Sequence, residues 1–155
     1  MMLAYRLLRL VENHSEALAA GLLEKTRKSP LLPGYRHVPP GDLEQRVYEI
    51  YRHLAEWLLG KSDLDVEQRY LEIGAKRARQ NVPLSELIWA IILTKKNLWD
   101  FLKQEAVLDR PAEISGELEV EELLDQFFDR AIYYAAVGYE RAGVAEPVRQ
   151  VSAVG

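Results

Sequence analysis

Residues 84–102 set the strongest constraint on this chain. Leu84, Leu87, Ile88, Ile91, Ile92, Leu98, Trp99, Phe101 and Leu102 make a helix that is apolar over much of its circumference. A helix with so broad an apolar surface is usually central to its bundle. The chain is therefore expected to wrap this segment, and the remaining sequence supplies the means. Apolar residues recur every three or four positions almost throughout, the period of an α-helix packed along one face. The expected fold class is all-α, a single-domain bundle of about five main helices, globin-like or related.

The central helix opens at Pro83, where a missing N–H is no loss, and runs to about Leu108. The stretch before it, Asn81-Val82-Pro83, separates it from a basic segment, and we read this break as a corner between two core helices. A first helix over about residues 2–28 has Leu3, Leu7, Leu10, Val11, Ala17, Leu18 and Leu22 on one side. "SPLLPGYRHVPPG" follows, with four prolines and two glycines. It reads as a loop anchored by Leu31, Leu32, Tyr35 and Val38. Asp42 is the expected N-cap of the next helix, with Gln45 as its capping-box partner and Gly60 as its stop. A further helix, capped by Asp63 or Asp65, reaches Gln80 and buries Val66, Tyr70, Ile73, Gly74 and Ala78. Gly74 costs about 1 kcal/mol in a helix interior, so it marks a close approach by a neighbouring helix. The last helix, about residues 117–142, carries a heptad seam of Val120, Leu124, Phe127, Ala131, Tyr134 and Gly138. The expected organisation is one helical domain over residues 1–143 and a flexible tail over 144–155.

Composition removes several function classes. With no cysteine, thiolate catalysis, disulfides and cysteine-ligated metals are excluded. A net charge of −4 argues against nucleic-acid binding. Lys76, Arg77 and Arg79 before the corner have a helix–turn–helix flavour. The following helix, however, offers apolar residues where a recognition helix needs polar ones. Those basic residues are expected on the outer face of their helix. No apolar run approaches the roughly 18–20 residues of a membrane span, so no membrane partner is expected. The N-terminus has charges from Arg6 onward and does not read as a signal peptide, and the expected location is the cytoplasm. No nucleophile elbow and no phosphate-binding glycine loop occur, and no catalytic residue is nominated.

Four residues are candidates for ligand binding: His14, His53, Trp57 and Trp89. His14 lies on the apolar stripe of the first helix, as a haem ligand would, and as a core-edge histidine with one satisfied nitrogen also would. His53 borders the stripe of the second helix. Glu49 precedes it by four positions, whereas the di-iron bundle spacing is Glu-x-x-His. Trp57 and Trp89, with Trp99 and Tyr51, either line a small-molecule cavity or simply pack the core. His37, in the proline loop, meets solvent. No metal and no cofactor is required by these patterns. Tyr133, Tyr134, Gly138 and Tyr139 on the last helix are the expected surface of a homodimer, since tyrosines give large contact area with a polar tip.

The run "YLEIGAKRARQNVPLSELIWAIILTKKNLWDFL" resembles a known family. A helix with a glycine, then arginine and alanine, a short break before proline, and an aliphatic helix are its recurring elements. Here these are Gly74, Arg77, Ala78, Pro83, Leu84, Leu87 and Ala90. The chain, over roughly residues 5–140, is similar to the RsbRD N-terminal domain family, the helical sensor domain of RsbR-type stressosome proteins. The resemblance implies a non-enzymatic signal-input domain that dimerises and passes its signal along the last helix. It carries no catalytic residues. In that family an output domain such as a STAS domain usually follows. Here a stand-alone member, or one acting through a separate signalling-protein partner, is expected. The alternative is a haem- or small-ligand-binding globin-type sensor.

Overall fold

The computed structural model describes the backbone of residues 2–105 and 111–154, and the side chains of residues 4–105 and 118–143. The elements are α1 (Met2–Asn13), α2 (Ser15–Lys28), a 3₁₀ turn (Pro33–His37), α3 (Pro40–Arg52), a π-helical turn (Glu56–Gly60), α4 (Asp63–Arg79), α5 (Leu84–Glu105) and α6 (Pro111–Val154). Among the described residues no strand occurs. The fold is all-α, as the periodicity required.

The expected first helix is two helices. At His14 the backbone turns to φ −115°, ψ 18°, and its N–H donates to Val11 O three residues back. The buried stripe nevertheless continues across the break as Ala4, Leu8, Val11, Ser15, Ala19 and Leu22. That stripe lies one position away from most of the residues the periodicity selected. Glu12 explains the rotation: its buried carboxylate accepts the Ala55 N–H at 3.0 Å. That polar anchor holds the Ala4–Leu8–Val11 side against the core and leaves Leu7 and Leu18 half-buried at its edge.

Helix starts also differ in detail. Pro40 begins α3, its fixed φ suiting the first helical position. Asp42 therefore sits inside the first turn instead of capping it, where it pairs with Lys76 at 3.0 Å. The cap of α4 is Ser62, neither Asp63 nor Asp65. Its hydroxyl accepts from Asp65 N and the Asp65 carboxylate accepts from Ser62 N, a complete capping box.

The corner between α4 and α5 is a Schellman motif. Asn81 takes a left-handed φ of 60°, Asn81 N donates to Ala78 O, and Val82 N donates to Arg77 O. Val82 is fully buried and belongs to a small second core with Leu32, Tyr35, Val38 and Leu43, which pins the proline loop beneath the corner. Leu31, expected to anchor that loop, is instead 61% exposed. Glu86 fixes the loop from the other side by accepting Gly34 N at 2.7 Å.

The most extensive packing is between α4 and α6. Gly74 and Gly138 face the opposite backbone reciprocally. A Cβ on Gly74 would overlap the Ala135 carbonyl, and one on Gly138 would overlap the Leu71 carbonyl. Five of the six seam residues of α6 are buried within this chain, joined by Phe128 and Ala135. Phe127 is edge-on to Trp57, Tyr70 and Phe128. The described end of α5 is Glu105, so the expected end near Leu108 lies outside the described residues. Helix α6 is assigned through Val154, while the side chains of the expected tail, 144–155, lie outside the described residues.

Candidate functional site

Helices α3, α4 and α5 do not close completely on one another. Between them lies a cleft of about 80 Å³. Its walls are mainly aliphatic, with Leu43, Val47 and Ile50 from α3, Ile73 from α4, and Leu87 and Ile91 from α5. Phe128 of α6 and Tyr35 of the 3₁₀ turn complete it. Arg46, Arg69 and Arg77 line the same space.

Arg77 is the least expected. Sequence reading placed it on the outer face of α4 and put Ala78 inside, yet Arg77 is 3% exposed and Ala78 is half-buried. Its Nη1 donates to Gln80 Oε1 at 2.8 Å, and its guanidinium lies 5.8 Å from the Tyr35 ring centroid. No carboxylate of the described residues comes within ion-pair distance of it. Arg69 lies 5.3 Å over the Trp57 ring and donates from Nη1 to Glu49 at 2.9 Å. Its Nε and Nη2 are buried without a hydrogen-bond partner. Arg46 is half-buried and forms no ion pair among the described residues. Burial first, then the neighbouring Arg69 and Arg77 cations, hold its pKa below the usual arginine value. Burial likewise raises the Tyr35 phenol to about 12 and pushes the Tyr70 phenol up. The Thr94 hydroxyl is spent on Ala90 O at 2.8 Å. The cleft thus presents cations and protonated phenols, groups that bind an anion and do not abstract protons at neutral pH.

Beside the cleft runs a satisfied polar network. Lys25 donates to Asn97 Oδ1 at 2.7 Å, and Asn97 Nδ2 donates to Leu18 O and to Tyr51 Oη. Tyr51 Oη in turn donates to Thr94 O at 2.9 Å. Every member has a partner, so the network fixes the α2–α3–α5 packing.

The four nominated ligand residues do not converge, and none lines the cleft. His14 is exposed, its Nδ1 2.9 Å from Leu10 O and its ring 5.2 Å from Phe101. His53 is exposed and caps α3, 4.0 Å from Glu56. Both histidines thus mark helix breaks. Trp57 is buried against Phe127, and Trp89 is half-buried with Lys96 near its ring. Among the described residues, no group of three His, Cys, Asp or Glu side chains is placed to hold a metal ion. No helix among them is long and apolar enough to cross a membrane.

On α6, Gly138 lies against the Leu71 backbone and Tyr139 Oη donates to Val82 O at 2.6 Å, so both are engaged inside the chain. Tyr134 is half-buried against the core. Tyr133 is 65% exposed.

The arginines of the cleft escaped sequence reading, although a signal was present. Val66, Tyr70, Ile73 and Arg77 follow the four–three–four spacing of one buried face, and Arg46 sits between Leu43, Val47 and Ile50. Charge alone assigned Arg77 to solvent, and Arg46 and Arg69 were not singled out. Compared with known proteins, residues 16–150 match the family described as the RsbT co-antagonist protein rsbRD N-terminal domain. No curated protein and no solved structure matches the chain.

Proposed function

The chain belongs to the RsbT co-antagonist protein rsbRD N-terminal domain family, and on that premise we propose that it is a non-enzymatic signal-input domain working as a homodimer. The family points to a stressosome-type regulatory sensor domain. In our reading the domain acts in the cytoplasm and hands its signal to another protein. The output is carried by α6, the longest helix, and residues 1–143 form the sensing unit.

The observation that carries this reading is the use of α6. One side of it is locked into the core through Gly138, Ala135 and Phe128, while Tyr133 stands 65% exposed on the other. A helix fixed to the core on one side and presenting an aromatic to solvent on the other suits a subunit contact. Across a two-fold axis the same patch would meet itself. Light scattering on the wild-type chain is expected to give twice the 17.8 kDa chain mass. Tyr133→Glu puts like charges across the contact without disturbing a buried residue, and the mass should fall to that of one chain. A wild-type protein that is monomeric at high micromolar concentration refutes the dimer.

A further inference from the structure

We infer that the cleft between α3, α4 and α5 is a binding site for a small monocarboxylate with a short apolar chain. The inference deepens the sensory reading, on which its purpose rests, but the site itself stands on three observations.

The first is unbalanced charge. Three guanidinium groups line one cleft, and although Asp42 and Glu72 lie within electrostatic reach of Arg46, neither Arg46 nor Arg77 forms an ion pair with a carboxylate among the described residues. Glu49 takes one nitrogen of Arg69, Asp42 pairs with Lys76, and Glu86 accepts the Gly34 N–H. Arg77, almost fully buried, is left with a glutamine and a phenol ring. A buried cation without an ion-pair partner is costly, and an anion removes that cost.

The second is the free donor edge of Arg69. Its Nε and Nη2 are buried and unpartnered. These two N–H groups point the same way along one side of a guanidinium, the edge that takes a carboxylate with two parallel hydrogen bonds.

The third is shape and lining. Apart from the arginines, the walls are mostly aliphatic and aromatic, which excludes inorganic phosphate as the best fit because half of it would face hydrocarbon. A volume of about 80 Å³ is roughly half the ~150 Å³ of a dry apolar cavity that takes benzene. It accommodates a tail of about three or four carbons. The site is also connected to the output helix. Ile73 is next to Gly74 at the α4–α6 crossing, and Phe128 belongs to α6 itself. Occupancy therefore bears on the crossing.

The test is calorimetric titration of the full chain with sodium butanoate, butan-1-ol and sodium phosphate, each at the same ionic strength. Butanoate should bind one per chain. The alcohol, which keeps the body and lacks the charge, and phosphate, which keeps charge and lacks the body, should each bind at least tenfold more weakly. Ala90→Leu fills the cleft and should abolish binding while the melting temperature holds or rises. Arg77→Gln should weaken binding at least tenfold. Should it fail to fold, Arg46→Gln, on a half-buried side chain, gives the same readout in a folded protein. No butanoate heat with folded wild-type protein overturns the inference. So does butan-1-ol or phosphate binding as tightly as butanoate, or full binding by folded Ala90→Leu. The dimer measurement on Tyr133→Glu is independent of all these results, so failure here is distinguishable from failure of the signal-input reading.

Discussion

Replacing Gly74 with alanine adds one carbon at the point where α4 and α6 cross. In a solvent-exposed helix this change stabilises by about 1 kcal/mol, because alanine is the better helix former. At Gly74 the added Cβ would overlap the Ala135 carbonyl oxygen. It would also stand 2.8 Å from Tyr139 N, where ordinary contact begins at 3.4 Å. Both obstacles are backbone, so no side chain can swing aside. The helices must separate by at least the 0.6 Å difference between those two distances. A gap of 0.5–1 Å forfeits roughly a quarter to a half of each dispersion contact along the seam. Overpacking of this kind costs about 1–3 kcal/mol, and the rigid obstacles here place it near the top of that range. After the propensity gain, a net loss of about 2 kcal/mol remains. For a domain of this size that lowers the melting temperature by roughly 4–8 °C. Gly21→Ala in α2 is the matched control, since a Cβ there meets nothing within 4 Å. It should raise the melting temperature by about 2–4 °C. Far-UV circular dichroism melts of both variants read the two signs directly. A Gly74→Ala protein melting at or above wild type would refute the close crossing. The double variant Gly74→Ala with Gly138→Ala should lose less than the two single losses together, because both open the same gap.

Two further outcomes follow from the corner and from the buried phenols. Asn81 holds φ 60°, so Asn81→Ala should cost about 1 kcal/mol in urea unfolding while Asn81→Gly leaves the midpoint unchanged or higher; equal midpoints for the two would remove the left-handed turn. Burial raises the Tyr35, Tyr51 and Tyr70 pKa values, so the folded chain keeps these phenols protonated where the unfolded chain loses its protons. The stability they contribute is fully present below about pH 10 and is lost as pH rises beyond it, so the urea midpoint should fall from about pH 10 upward, a decline that Tyr70→Phe lessens.

The bundle was legible because its strongest signals are periodic. Leu87, Ile91, Leu98 and Leu102 are buried and Gly74 does mark a tight crossing, but Leu84, Ile88, Ile92, Trp99 and Phe101 are only half-buried, so α5 is not enclosed on all the sides its apolar surface called for. What escaped depends on partners distant in sequence. The stripe from Ala4 to Leu22 runs unbroken through His14, so periodicity could not show the kink there. The rotation of α1 follows from Glu12 meeting Ala55, forty-three residues away. Ser62 was hidden behind two aspartates that are equally good caps in isolation. Periodicity marked Val66, Tyr70 and Ile73, but a charged residue was not allowed to continue the face at Arg77. Two arginines of the cleft lie on α4 and the third on α3, and no local pattern ties Arg46 to Arg69. Gly138 and Tyr139 were assigned to a subunit interface by residue type. Within the chain the backbone of Leu71 meets Gly138 and the carbonyl of Val82 accepts from Tyr139.

The dependence of the core on α6 also bears on how the protein is made. Synthesis delivers α1 to α5 first, and those helices share a centre that Leu124, Phe127, Phe128 and Ala131 of α6 help to fill. Until that last helix has left the ribosome, Trp57 and Tyr70 lack the ring they pack against and Gly74 faces no neighbour. Until then the nascent helices leave an open apolar trough, the kind of surface that chaperones shield. Closure waits for residues 120–135.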